Sequence, residues 1–269
     1  MIRNTPQVDI FVAHDLGDKS QVPFLFLHGF TGSSESWSHI TSQIDHPYII
    51  IDLPGHGKST FRGSSGYTFN HWASDLKQIL DDMEVHQIKL CGYSMGGRLA
   101  AAFIESYPKV VKEIFIESAH MGIKNIENRN KRLVDDINLV NKIQNKFSLF
   151  LSDWSAMDMF KMQKQRNITA WRLQNSIRLS QNLNQLSMAL DSFSLGRMPV
   201  YHQYISRGEI PIHFINGVED CKYLEYSKSL DKLNNNIIHH IVDDASHNVH
   251  LENEVCYINI LNESLCYDL

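Results

Sequence analysis

The chain contains no apolar run that approaches the roughly 20 residues a helix needs to cross a bilayer. Its first stretch, residues 1–21, is polar and mixed in charge, and it lacks the apolar core of a secretory signal. These two absences argue against a membrane span and against secretion. We therefore expect a cytoplasmic protein.

Cysteine is also scarce, with four in 269 residues and neither a CxxC pair nor metal-finger spacing among them. We expect these four cysteines to be free thiols in a reducing compartment. The sequence also lacks an HExxH motif, a GxGxxG motif and a P-loop. It therefore predicts neither a bound metal nor a nucleotide cofactor.

Positive charge is not in excess, because 25 Lys and Arg stand against 30 Asp and Glu, for a formal net charge of −5. This balance argues against a nucleic-acid partner. Hydrophobic residues make up 43% of the chain and charged residues 20%, which excludes intrinsic disorder. We expect a monomer or a weak homo-oligomer that acts on a small molecule.

Short apolar runs alternate with helical spacing, and this pattern is typical of βαβ units in a parallel, doubly wound sheet. The runs predicted to be buried strands are Pro23–Leu27, Tyr48–Ile51, Ile88–Cys91 and Ile114–Ile116, and two later runs, Ile212–Ile215 and Ile237–Val242, are also predicted to be strands. Between residues 121 and 200 no strand-like run occurs, and apolar residues recur at helical intervals. The sequence therefore predicts an α/β core formed by residues 1–120 and 201–269, with a helical cap formed by residues 121–200.

The segment Gly92-Tyr93-Ser94-Met95-Gly96 matches G-x-S-x-G, and it lies between an apolar run and a helical period rich in small residues. That context is the strand, sharp turn and helix of a nucleophile elbow. Glycines flank the serine because a strained turn leaves no room for side chains beside it. Ser94 is therefore the candidate nucleophile.

Two further turns follow predicted strands. In Leu27-His28-Gly29-Phe30, a glycine allows the backbone to approach the serine, so the N–H groups of Phe30 and Met95 are predicted to form an oxyanion hole. The segment from Asp52 to Ser59, with the sequence DLPGHGKS, is interpreted mainly as a tight turn without a chemical role.

An acid and a histidine should follow the serine in that order. Asp220 comes just after one predicted strand, and His247 comes just after the next. Each therefore lies at the carboxyl end of its strand, where open α/β sheets place their sites. Glu219 and Asp243 are alternatives to Asp220, and His250 is the alternative to His247.

Charge is distributed unevenly between cap and core. The cap has 12 Lys and Arg against six Asp and Glu, a charge of +6, which leaves −11 for the rest of the chain. A positive cap above the serine indicates an anionic substrate. Arg98 strengthens this interpretation, because it lies one helical turn after Ser94 and can bind a carboxylate with two parallel hydrogen bonds. The alternatives are solvated cap helices and a structural salt bridge at Arg98.

Taken together, these motifs resemble the α/β-hydrolase superfamily over nearly the whole chain. Within it, the chain is most similar to the 2-succinyl-6-hydroxy-2,4-cyclohexadiene-1-carboxylate synthases of menaquinone biosynthesis. The segments that carry this similarity are LHGFTGS from Leu27, DLPGHG from Asp52, GYSMGGR from Gly92 and SHNVHLE from Ser246. The sequence departs from the family pattern at His120, Ser246 and Asn253-Glu254.

The resemblance implies a lyase rather than a hydrolase. In this family the triad removes a proton next to a carbonyl group, and pyruvate is expelled from an enolpyruvyl ether. It implies that Ser94, Asp220 and His247 form the base system and that Tyr93, Arg98, Trp154 and Arg178 bind a small polyanionic substrate. Arg132, or its neighbour Lys131, matches a further basic position. The alternative activity is hydrolysis of an anionic ester, thioester or carbon–carbon bond through an acyl-enzyme at Ser94.

Overall fold

A computed structural model describes residues 1–18, 20–63, 66–234 and 237–266. These residues form a nine-stranded sheet in the order β1-β2-β4-β3-β6-β7-β8-β9, with β5 paired to β2. The strands are β1 (Ile2–Asn4), β2 (Val8–Asp15), β3 (Phe24–Leu27), β4 (Tyr48–Ile51), β5 (Thr60–Phe61), β6 (Ile88–Tyr93), β7 (Val111–Glu117), β8 (Ile212–Gly217) and β9 (Ile237–Val242).

The strands from β4 across to β9 pair in parallel, as the apolar runs predict. In β3 and β8 every residue is buried, because helices cover both faces of the sheet. The antiparallel strands β1, β2 and β5 were not predicted. In β2, buried Val8, Ile10 and Val12 alternate with half-buried residues, so its signal is the alternation of a strand near the sheet edge.

Helices pack on both faces of the sheet. Those of the chain are α1 (Ser38–Thr41), α2 (Phe69–Asp82), α3 (Met95–Ser106), α4 (Ile126–Asn145), α5 (Phe147–Ser155), α6 (Gln163–Arg166), α7 (Ile168–Leu179), α8 (Leu183–Ser192), α9 (Gln203–Arg207), α10 (Cys221–Ser229), α11 (Val249–Glu252) and α12 (Glu254–Leu265). Trp72 of α2 and Leu99 of α3 share one apolar cluster with Leu25 of β3. Phe24 of the same strand points the other way and joins Tyr257 of α12 in a second cluster.

Helices α4 to α8 follow β7 and precede β8, within the range predicted for the cap, and no strand occurs among them. The two ends of the cap meet: the Tyr201 N–H donates to the Met121 carbonyl at 2.8 Å. Gly122 between them has φ +105°, and a Cβ there would lie 2.3 Å from the Pro199 carbonyl oxygen. Only glycine fits this junction, which holds the chain's exit from the core beside its return.

None of the helices in the described residues combines the length and the apolar character that a bilayer crossing demands.

Candidate active site

Ser94 lies at a sharp turn between β6 and α3, with φ 51° and ψ −104°. A non-glycine residue rarely adopts a positive φ, so the surrounding packing must impose this conformation. The flanking glycines make the turn possible. A Cβ on Gly92 would lie 2.7 Å from the Gly96 carbonyl oxygen, and one on Gly96 would lie 2.2 Å from that of Leu27. The predicted elbow is therefore present in the structure.

Ser94, His247 and Asp220 come together from the ends of three strands. His247 Nε2 lies 3.1 Å from Ser94 Oγ, and His247 Nδ1 lies 2.8 Å from Asp220 Oδ2. The Asp220 carboxylate fixes a hydrogen on Nδ1, which leaves Nε2 free to accept the serine proton. Both the imidazole and the carboxylate are almost fully buried. This geometry would suit Ser94 as a nucleophile, His247 as a base and Asp220 as the acid that orients it.

The alternatives named from the sequence lie elsewhere. Glu219 is exposed and forms an ion pair with Arg166, while Asp243 is exposed on the loop after β9. His250 lies on α11, where its Nδ1–H donates to Glu117 Oε2 at 2.7 Å. Among these residues, Asp220 and His247 are therefore the two that hydrogen bonds connect to Ser94.

The predicted oxyanion-hole loop approaches the elbow closely. A Cβ on Gly29 would lie 2.5 Å from the Tyr93 ring and 3.5 Å from Ser94 Cβ, so this position requires glycine. Phe30 follows directly, and Met95 begins helix α3. Within the described part of the chain, the N–H groups of Phe30 and Met95 donate to no protein acceptor. Free N–H groups at such a position suit a developing oxyanion.

Buried side chains support this loop from below. His28 donates from Nδ1 to the Gly29 carbonyl at 2.7 Å, and its Nε2 accepts from the Leu53 N–H at 3.0 Å. Burial lowers the pKa of His28 to about 4, so the ring is neutral at pH 7. Asp52 accepts from the N–H groups of Ser34 and Lys58 at 2.5 and 2.8 Å. These contacts agree with the interpretation of the DLPGHGKS segment as a structural turn.

Two chambers meet at Ser94. The larger, about 390 Å³, lies between α3 and the cap and is lined by Arg98, His120, Arg132, Lys222 and Tyr223. The smaller, about 20 Å³, lies on the other side and is lined by Tyr93, Trp154, Gln174, Arg178 and His250. A roomier cavity of about 840 Å³ opens beside Phe61 and Met188, and it contains none of the triad residues.

Arg98 and Arg132 lie in the larger chamber. Arg98 is buried, and its guanidinium donates to the Phe193 carbonyl at 2.7 Å. Burial, and then the charge of Arg132, lowers the pKa of Arg98 to about 10. Arg132 pairs with Asp136 at 2.9 Å, whereas no carboxylate within the described residues forms a salt bridge with Arg98. The structural salt bridge considered for Arg98 is therefore absent from the described part of the chain.

Arg178, Trp154 and Tyr93 lie in the smaller chamber. Arg178 is 4% exposed, and the one hydrogen bond of its side chain among the described residues is a long contact to Thr31 Oγ1 at 3.4 Å. Burial lowers the pKa of Arg178 and raises that of the Tyr93 phenol. The indole N–H of Trp154 is buried without a partner in the described chain. An anion entering this chamber would satisfy these donors.

Sequence reasoning missed a buried pair beneath the triad. Glu117 accepts from the His250 N–H at 3.1 Å as well as from its ring, and Trp37 stacks on that ring at 4.0 Å. Because His250 lies three residues after His247, Glu117 fixes the segment that carries His247. The sequence shows that Glu117 follows the apolar run Ile114–Ile116 at the carboxyl end of β7, but it does not show which residue Glu117 contacts.

A second contact not predicted from the sequence connects the cap to the core. Arg166 of α6 forms ion pairs with Glu252, which is buried, and with Glu219 on the loop after β8. Glu252 also accepts from the Ser246 N–H at 3.1 Å. The partners lie 53 and 86 positions away from Arg166, so no local pattern could reveal them. These ion pairs join the cap to the segment that carries His247.

The family model of the α/β hydrolase fold matches residues 22–254. A protein of Bacillus subtilis (strain 168), described as a candidate 2-succinyl-6-hydroxy-2,4-cyclohexadiene-1-carboxylate synthase, is 30% identical over 95% of this chain and 94% of its own. The synthase of that name from Enterobacter sp. (strain 638) is 27% identical over 87% and 88%. The solved structure of MenH from S. aureus covers 96% of this chain and 98% of its own, with a TM-score of 0.88 and 26% identity.

The chain is therefore an enzyme of the α/β-hydrolase family, and the predicted fold is confirmed. Within that family it belongs with the 2-succinyl-6-hydroxy-2,4-cyclohexadiene-1-carboxylate synthases, as its motifs indicate.

Proposed function

We propose that the chain is a lyase of menaquinone biosynthesis that forms the product in its relatives' name, 2-succinyl-6-hydroxy-2,4-cyclohexadiene-1-carboxylate. It converts 2-succinyl-5-enolpyruvyl-6-hydroxy-3-cyclohexene-1-carboxylate into 2-succinyl-6-hydroxy-2,4-cyclohexadiene-1-carboxylate and pyruvate. The observation that carries the proposal is the position of Ser94, between two chambers that each contain a buried guanidinium without a carboxylate partner among the described residues. A neutral ester would leave both guanidinium groups without a counter-charge.

The triad acts as a base. His247, oriented by Asp220, takes the proton of Ser94, and the serine oxygen takes the proton from the ring carbon that bears the succinyl ketone. The electron pair moves through the ring double bond, and the carbon–oxygen bond to the enolpyruvyl group breaks. The departing enolate takes up a proton and leaves as pyruvate, so no acyl-enzyme forms.

The ketone oxygen becomes negative as the proton leaves. The N–H groups of Phe30 and Met95 hold that charge, since the described residues offer them no other acceptor. Arg98 and Arg132 in one chamber, and Arg178 with Tyr93 and Trp154 in the other, bind carboxylates of the substrate. Fixed cations on both sides of Ser94 orient the ring so that its proton faces the serine.

The compartment and the oligomeric state of the enzyme are part of the same proposal. All four cysteines are unpaired, which supports a reducing, cytoplasmic compartment. Ser94, Asp220 and His247 come from one chain, so the proposed chemistry does not require a second copy.

Pyruvate release tests the proposal directly. The purified enzyme is mixed with the enolpyruvyl substrate, and pyruvate is followed with lactate dehydrogenase while the diene is followed by its absorbance. We expect the two products in equal amounts. Labelling of Ser94 by a fluorophosphonate is not a substitute, because a hydrolase would react as well. Rapid hydrolysis of anionic esters without pyruvate release would establish the acyl-enzyme alternative instead.

A further inference from the structure

His120 departs from the family pattern in the sequence, and the structure places it beside the reacting serine. It follows β7 by three residues, after Ser118 at φ 47°. The intervening Ala119 packs against the elbow helix so closely that a Cβ on Gly97 would lie 2.5 Å from the Ala119 methyl group. His120 therefore lines the larger chamber together with Ser94 and Arg98.

The hydrogen atom of the His120 ring has a defined position. The Gly122 N–H lies 3.0 Å from His120 Nδ1, and a backbone N–H can only donate. Nδ1 must therefore accept, which puts the hydrogen of the neutral ring on Nε2. Tyr226 stacks on the imidazole with a centroid distance of 3.7 Å, and its hydroxyl accepts from the Met121 N–H at 2.9 Å. These contacts hold both the tautomer and the orientation of the ring.

The surroundings keep this ring uncharged. Burial, and then His202, Lys222, Arg98 and Arg132, lower the pKa of His120 to about 4. The carboxylates that line the same chamber do not offset this effect. Asp136 accepts from Arg132 and from Ser194, and Asp135 is exposed. At neutral pH the chamber therefore contains a directed, uncharged N–H among fixed cations.

Nε2 of His120 has no hydrogen-bond partner in the described chain. We propose that His120 is a substrate-binding residue whose Nε2–H donates to a carboxylate in the larger chamber, beside Arg98. This assignment rests on the proposed lyase function and its polyanionic substrate. Arg98 supplies charge from the elbow helix, while His120 supplies a donor from the neighbouring strand end. The two donors together fix the direction of the carboxylate.

Three variants test the assignment. In His120→Leu the donor is lost and the bulk is kept, whereas His120→Gln keeps a neutral N–H. His202→Leu is the matched control, because His202 is half-buried beside His120 yet does not line the chamber. Steady-state pyruvate release gives kcat and KM. Thermal denaturation reports the fold, and calorimetry in a Ser94→Ala background measures substrate binding without turnover.

We expect His120→Leu to raise KM and the dissociation constant roughly 10- to 100-fold, the usual effect of one hydrogen bond to a charged group. The value of kcat should fall far less, His120→Gln should recover most of the affinity, and His202→Leu should leave both constants unchanged. Because the ring is neutral, the affinity loss should be the same at pH 6 and pH 8.

Unchanged affinity in His120→Leu would overturn the assignment. A fall in kcat and Tm in both His120 variants, without rescue by glutamine, would show a purely structural role and overturn it as well. Failure of the proposed function would look different, since the unmodified enzyme itself would then release no pyruvate.

Discussion

The core and the cap differ most clearly in histidine and in charge. All 14 histidines lie outside residues 121–200, whereas the cap carries a charge of +6 against −11 for the rest of the chain. Histidine is the side chain that exchanges protons near neutral pH, whereas lysine and arginine stay charged there. Under the proposed mechanism the difference assigns proton transfer to the core, while the cap contributes a positive charge that is nearly constant around neutral pH. Arg98 is the exception, a cation that the core places at the boundary.

Ser94→Ala should produce the largest effect, because it removes the hydroxyl group that takes the substrate proton and leaves both chambers unaltered. We expect kcat to fall by about 10²- to 10⁴-fold, the usual contribution of positioned acid–base catalysis. Substrate affinity and Tm should stay near those of the unmodified enzyme, measured by calorimetry and thermal denaturation. A comparable loss of affinity would show that the serine, rather than the cations, holds the substrate.

Arg98→Lys keeps the charge at the boundary and removes its forked geometry. We expect kcat/KM to lose roughly 1.5–3 kcal/mol of transition-state binding, about 10- to 100-fold, with little change in Tm. Arg178→Lys is the matched change in the cap, and we expect it to lower kcat/KM to a similar extent with little change in Tm. If Arg98→Lys instead unfolds the protein while the folded fraction works normally, Arg98 belongs to the scaffold of the core.

Acid pH should destabilise the core more than the cap. Burial lowers the pKa of His28 to about 4 and that of His56 to about 3, so both resist protonation in the folded state and accept it once unfolded. Their contribution to stability is complete above pH 6.5 and is lost as the pH falls toward 4. At pH 5 the low pKa of His28 alone should reduce the free energy of unfolding by about 2 kcal/mol.

Denaturant unfolding at pH 7 and pH 5 measures this loss, and hydrogen exchange locates it. His28→Gln is the control, since an uncharged amide should make the loss smaller. Equal loss of amide protection in the histidine-free cap would contradict the assignment of the acid response to the core.

Arg166→Met should give the smallest effect, because it removes a single side chain that connects the two regions. Glu252 is left buried without its cation, which we expect to cost about 1–3 kcal/mol of unfolding free energy. Arg166→Met combined with Glu252→Gln should recover part of that loss. Limited proteolysis should cut the cap faster in the single variant. Unchanged stability and cleavage would mean that other contacts hold the cap.

Much of the fold was predictable because its signals are local. Each strand from β3 to β8, apart from the two-residue β5, appears as an apolar run, and the elbow appears as glycines around Ser94. The strand predicted at Ile237–Val242 is present as β9, although Val242 is its one buried residue. Asp220 and His247 could be named because parallel strands all end at one edge of the sheet. Their catalytic roles, and those of the binding residues, stay predictions.

The unpredicted features depend on contacts between distant residues. Nothing near Glu117 in the sequence indicates that it holds His250, 133 positions away. The division of the site into two chambers likewise depends on how α5 and α7 lie over the elbow, and composition does not record that. The charge of the cap could be counted from the sequence, whereas the direction in which each guanidinium points could not.

The junction at Met121 and Tyr201 has a consequence for how such enzymes diversify. Because the cap leaves and re-enters the core at one point, the pairing of Ile114 with Ile212 in neighbouring strands does not depend on what lies between. A segment of another length could be spliced into this junction, since each doubling of a loop costs only about 0.6 kcal/mol. We therefore expect the cap to be replaceable at this junction, so that recognition of new substrates can arise without rebuilding the strands that carry Ser94, Asp220 and His247.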